Sequence, residues 1–268
     1  MELTATVAGA MLPGERAPGQ DRWTTAGPAV AVLDGASAFD SAAPPADTYV
    51  SDLCATLAAS LRAGSDARGA LRAAIAEVAH RLNVPAGSGA SSTVLILRQA
   101  DDHVEVTALG DSTAVIGMRD GSVERVTDDR LSHVAPQLRA RYRDRLRAGH
   151  GFDSTHRAIL GEIQRAERAS RNSPAGYWIA EADPAAADHV ITRRYPASDV
   201  AWCMLATDGA QRPYDHRNGD WAALPVDADS LRRKLEELQR WEGERDPDGR
   251  LLPRAKRHDD KTLVVWRP

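Results

Sequence analysis

The chain has 268 residues, 43% hydrophobic and 27% charged, and its 34 basic and 38 acidic side chains leave a formal net charge of −4. This composition excludes a largely disordered chain and a general nucleic-acid binder, and no apolar run reaches the roughly 18 residues of a membrane span. Two cysteines, Cys54 and Cys203, each inside an apolar run, exclude a disulfide framework and a thiolate zinc cluster.

The N-terminal MELTATVAG lacks the basic and long apolar regions of a signal peptide, so a soluble, cytoplasmic protein is expected, monomeric and with neither nucleic-acid nor membrane partners. Residues 2–9 alternate and predict a strand; 10–27, with Pro13, Gly14, Pro18, Gly19 and Gly27, predict a loop. PAVAVL, 28–33, is a short buried strand. Val50, Leu53, Cys54, Leu57, Ala58 and Leu61 follow helical spacing, as do Ala70, Leu71, Ala74, Ile75, Val78 and Leu82, with Gly64 and Ser65 or Asp66 placed to cap the two helices. Strands are predicted at 92–98, 103–109, 112–118 and 122–127; the short breaks between them force antiparallel neighbours. Residues 128–172 read as helices with loops. Strands return at 177–180, 188–195 and 200–206, a helix carries Leu231, Leu235, Leu238 and Trp241, and 262–266 closes the chain as a strand. The pattern is α+β, with antiparallel sheets covered by helices.

Four strand-like runs have an aspartate at one end. PAVAVL runs into Asp34-Gly35, VTAL into Gly110-Asp111-Ser112 and VAWCMLAT into Asp208-Gly209, while TLVVW is preceded by Asp259-Asp260; Asp21 lies upstream. Side chains at strand ends of packed sheets can meet on one rim, giving an oxygen-only site that suits Mg²⁺ or Mn²⁺. A single Asp-Gly is ordinarily a turn, as expected for Asp120-Gly121 and Asp248-Gly249.

The order and wording of these segments resemble the metal-dependent type 2C (PPM) serine/threonine protein phosphatases. That family shows Arg-x-x-x-Glu-Asp, Asp-Gly after a strand, Gly-Ser/Thr-Thr, Gly-Asp-Ser, Ala-Ser/Thr-Asp-Gly and Asp-Asn/Asp-x-Thr. This chain has Arg16-Ala-Pro-Gly-Gln20-Asp21, Asp34-Gly35, Gly89-Ala-Ser-Ser92-Thr93, Gly110-Asp111-Ser112, Ala206-Thr207-Asp208-Gly209 and Asp259-Asp260-Lys261-Thr262. The resemblance implies a single domain over 1–268, a four-layer α/β/β/α sandwich of two antiparallel sheets flanked by helices. It implies two Mn²⁺ or Mg²⁺ ions bridged by Asp34, with the Gly35 carbonyl on one and Asp208 and Asp259 on the other. Asp111 would join Asp208 at a weaker third position, Gln20 and Asp21 would lie one layer out, and Arg16 would hold the substrate phosphate. The implied reaction is hydrolysis of phosphoserine and phosphothreonine in a phosphorylated protein substrate by a metal-bridging water. The alternative is a catalytically weak or inactive module of the same fold that binds phosphoproteins as an adaptor.

Two departures stand out. Gln20 replaces the family's usual glutamate, and Ala36 stands where many members have the histidine proposed as leaving-group acid. His258, beside Asp259, is a candidate replacement or an ordinary surface histidine. There is no Gly-x-x-x-x-Gly-Lys phosphate loop, and Val32 occupies the position where a haloacid-dehalogenase nucleophile would stand. The arginine-rich 128–171 is either a solvated helical face or a flap that attracts acidic substrate segments.

Overall fold

In the computed structural model, which describes residues 5–15, 17–37 and 44–268, alternate residues of each strand face opposite sides, and both faces of both sheets are covered. Numbered in chain order, one sheet joins β1 (Thr6–Leu12), β10 (Lys261–Arg267), β9 (Val200–Ala206), β6 (Thr113–Met118) and β7 (Val123–Val126) in that order. The other joins β2 (Arg22–Ala26), β3 (Ala29–Ala36), β4 (Ser91–Gln99), β5 (His103–Leu109) and β8 (Ile191–Pro196). Every pairing is antiparallel. Val32, Leu95 and Val106 of one sheet pack on Ile116, Leu205 and Val264 of the other, forming the central core. The opposite face of the second sheet, with Leu33 and Ile96, is covered by Leu53 and Leu57 of α1 (Ala46–Arg62) and Leu71 and Ile75 of α2 (Ala67–Arg81). Met204, Leu263 and Val265 of the first sheet meet Leu231, Leu235 and Leu238 of α6 (Ala228–Glu244). Each fully buried Leu or Ile of this kind stabilises the fold by about 1.5–3 kcal/mol. The layers are those of the expected four-layer sandwich.

Two further helices, α3 (Pro136–Arg147) and α4 (Ser154–Ser170), form a hairpin with its own small core of Tyr142, Leu146, Ile159 and Ile163. Trp266 lies in the central core, Trp202 in the core under α6, and Trp178 stacks on His189. Among the described residues no helix is long and apolar enough to cross a membrane.

Several local expectations change. The stretch read as a loop at 10–27 contains the end of β1 and all of β2, whose polar RWTTA sits at a sheet edge where only one neighbour, β3, is needed. The strand expected at 177–180 is absent: Ala180 makes one bridge to Ser92, while Tyr177 and Ile179 pack with Val134 and Trp178 and Ala180 face the α1–α2 core. Its apolar alternation serves two different cores rather than a sheet. The start of the strand expected at 188–195 is a 3₁₀ turn, Pro184–His189. A nine-residue helix, α5 (Asp208–His216), went unread because it is short and holds Pro213.

Candidate active site

The two sheets bring the aspartates to one rim. Asp34 and Gly35 are the last turn of pleat in β3 before Ala36, opposite Thr93 and Ser92 on β4. The Asp34 amide donates to Thr93 Oγ1 at 3.3 Å, and Thr93 Oγ1 shares a 2.7 Å hydrogen bond with Ser112 Oγ, next to Asp111 in the β5–β6 turn. Asp208 opens α5 directly after β9, where the helix dipole favours a carboxylate. Pairing of Ala206 with Leu263 sets the end of β9 beside the start of β10, and so beside Asp259 and Asp260. Neither Asp-Gly is a turn. A Cβ on Gly35 would stand 2.6 Å from the Gln20 carbonyl oxygen, and one on Gly209 would stand 2.0 Å from the Asp260 carbonyl oxygen. Glycine is required at both positions by the close approach of a second backbone.

The carboxylates feel one another. Burial, then the charges of Asp21, Asp208, Asp259 and Asp111, hold the Asp34 carboxyl well above its ordinary pKa. Burial and Asp259 raise Asp208, against the opposing charges of Arg212, Lys256 and Lys261. Burial and Asp208 push Asp111 up to about 7. Asp21 is buried and is raised to about 7, chiefly by burial. Its Oδ2 accepts from Thr207 Oγ1 at 2.9 Å and Thr262 Oγ1 at 2.8 Å, tying the 13–21 loop to both strand ends. Its Oδ1 is buried and has no hydrogen-bond partner among the described residues.

Asp260 is a clamp for the same loop, accepting from the Gly14 amide at 2.6 Å and the Gln20 amide at 2.5 Å. The Gln20 side chain donates to Ser37 Oγ at 3.0 Å. Gln20, Ser37, Lys256, His258, Asp259 and Asp260 line a cleft of about 270 Å³. Arg16 lies outside the described residues, as does Ala38 beyond the Ala36-Ser37 departure.

Sequence reasoning missed the cationic half of the site. Lys256 Nζ donates to Asp259 Oδ1 at 2.6 Å. Arg212, one turn into α5, lies 3.6 Å from Asp208 Oδ2 and is anchored by donation to the Pro253 carbonyl oxygen at 2.8 Å. Lys261 is fully buried and bridges Glu242 Oε2 at 2.9 Å and the Asp259 carbonyl oxygen at 3.0 Å, while His258 Nδ1 lies 3.0 Å from that same Glu242 oxygen. The signal was there: of only three lysines in the chain, two flank Asp259-Asp260.

The donor chemistry fits a hard divalent cation: carboxylate oxygens that raise one another's pKa, and the unpartnered Asp21 Oδ1 among them. Among the described residues no three His, Cys, Asp or Glu side chains close on a common point. Asp259 is turned to Lys256 and Asp208 towards Arg212 instead.

The family model described as protein phosphatase 2C matches residues 9–251, stopping short of Asp259. No curated protein sequence matches the chain. Among solved structures, the serine/threonine phosphatase PstP/Ppp of Mycobacterium tuberculosis is similar over 99% of both chains, with 16% identity and a TM-score of 0.58. The serine/threonine phosphatase Stp1 of Staphylococcus aureus is similar over 100% of this chain and 97% of its own, with 14% identity and a TM-score of 0.58. A structure of the PstP catalytic domain in complex with two manganese ions is similar over 98% of this chain and 99% of its own, at 15% identity and a TM-score of 0.54. At these identities the likeness is one of fold. With the family model spanning most of its length, the chain belongs to the protein phosphatase 2C family.

Proposed function

We propose that the protein is a Mn²⁺- or Mg²⁺-dependent phosphomonoester hydrolase that removes phosphate from phosphoserine and phosphothreonine in proteins, with residues 1–268 working as one domain. The observation that carries this reading is the rim where two sheets bring Asp34, Asp111, Asp208 and Asp259 together at strand ends, close enough that the charges of the other three raise the pKa of Asp34. Asp34, the Gly35 carbonyl, Asp208 and Asp259 are the proposed ligands of two divalent cations, and Asp111 with Asp208 those of a weaker third. When bound, such cations supply Lewis-acid activation of water and neutralise charge developing on the phosphoryl oxygens. The chain itself supplies the positioning. Asp21 locks Thr207 and Thr262 behind the proposed ligands, and Asp260 clamps the chain at Gly14 and Gln20, two residues before and four residues after Arg16 in the sequence. Arg16 is the proposed phosphate fork, and Gln20 a neutral residue one layer out from the cations.

The second reading, a phosphoprotein-binding adaptor, draws on one observation: Asp259 Oδ1 is engaged by Lys256. Hydrolysis of a small aryl phosphate, measured in EDTA and then in excess Mn²⁺, separates the two. Mn²⁺-dependent turnover supports the hydrolase; phosphopeptide binding with no turnover at any Mn²⁺ concentration supports the adaptor.

A further inference from the structure

We propose that Lys256 is a tethered counter-cation of the aspartate rim: in the metal-free protein its ammonium neutralises Asp259 at Oδ1, an oxygen that also accepts from the Asp260 amide at 2.9 Å, and a divalent cation must compete with it for that carboxylate. The inference rests on the reading of Asp34, Asp208 and Asp259 as the metal-binding set. It assigns Lys256 the task of setting metal affinity.

Three observations converge. The Nζ–Oδ1 distance is 2.6 Å, a direct charge-assisted hydrogen bond. The ammonium stands where two clefts meet, since Lys256 and Asp259 line both the 270 Å³ cleft beside Gln20 and a smaller one bounded by Asp208 and Arg212. Finally, the Lys256 side chain is 51% exposed, so packing does not fix its position.

That combination describes a displaceable cation. An exposed lysine–carboxylate pair is weakly held, which a competing ligand can exploit. Lysine suits the task better than arginine, being a compact charge on a flexible stem rather than a rigid fork. The chain uses arginine at nearly all of its basic positions, yet places lysine here. Arg212, by contrast, is also fastened to the Pro253 carbonyl. The oxygens of the rim suit a divalent cation, which must compete with the lysine for Asp259.

The test is calorimetric titration of Mn²⁺ into the metal-stripped full chain, comparing wild type with Lys256→Met and Lys256→Gln. Methionine keeps the stem and glutamine keeps a polar head, so both should fold, and metal-free melting checks this. Both variants should bind Mn²⁺ at least about tenfold more tightly. Their metal-free Tm should fall and their Mn²⁺-induced gain in Tm should grow. Affinities within about twofold of wild type would overturn the inference while leaving the metal site intact. Binding by the variants alone would support it in its strongest form. Absence of binding in all three proteins would overturn both this inference and the metal-dependent reading beneath it.

Discussion

Asp21 shows how much one buried carboxylate can carry. With its pKa raised from 3.8 to about 7, and Asp111 raised likewise, the native state holds more protons than the unfolded chain between those values. Stability contributed by these groups is therefore greatest at the acidic end of that window and falls as pH rises through it, flattening above about 7. Metal-free protein should accordingly lose Tm between about pH 5 and 7, and Mn²⁺ should restore it most at the upper end. A metal-free Tm that rises across this range would contradict the assignment. Gln20 gives a second expectation. Its backbone is clamped by Asp260 and its side chain lies on the cleft wall, so Gln20→Glu would add a charge beside the rim. The Mn²⁺ concentration for half-maximal activity should fall, and an unshifted activation curve would remove Gln20 from the site. At Gly209 the expected outcome is structural. A methyl group there meets the Asp260 backbone, so Gly209→Ala should cost about 1–3 kcal/mol in denaturant unfolding and disturb Asp208 and Asp259 together.

At the scale of elements, the decisive join is between α6 and the start of β10. Glu242 on α6 receives both His258 and Lys261, and Lys261 in turn holds the Asp259 carbonyl. Glu242 and Lys261 are both buried, so removing one partner strands the other charge. Lys261→Met should destabilise the protein by about 3–5 kcal/mol, and adding Glu242→Leu should recover part of the loss, read from urea midpoints. Elements with a strong, single-purpose apolar pattern were legible in the sequence: α1, α2, α6 and the β4–β6 meander. Those that failed did so for identifiable reasons. β2 is an edge strand and needs no apolar run, α5 is short and proline-bearing, and 177–180 divides its side chains between two cores.

Across the whole molecule, antiparallel sheets covered by helices were readable from the short breaks between strands and the amphipathic helices before and after the meander, whereas the stacking of two sheets into a sandwich came only from the family resemblance. The anionic half of the site was readable because aspartates recur at strand ends in a fixed order. The cationic half was not: two of the three lysines do flank Asp259-Asp260, but Lys256, Lys261 and Arg212 come together only when β9, β10 and α6 meet. The Asp-Gly pairs were found by their wording, although turn chemistry, the usual reason for such a pair, does not apply at Gly35 or Gly209. The central claim is that this rim binds divalent cations and hydrolyses phosphomonoesters. It is tested most directly by titrating Mn²⁺ into EDTA-stripped protein while following phosphate release from a phosphothreonine peptide, with Asp208→Asn measured alongside. Release should be absent without metal, saturable with Mn²⁺, and mostly lost in a folded Asp208→Asn variant. Metal-independent release, or wild-type Mn²⁺-dependent turnover in Asp208→Asn, would contradict it.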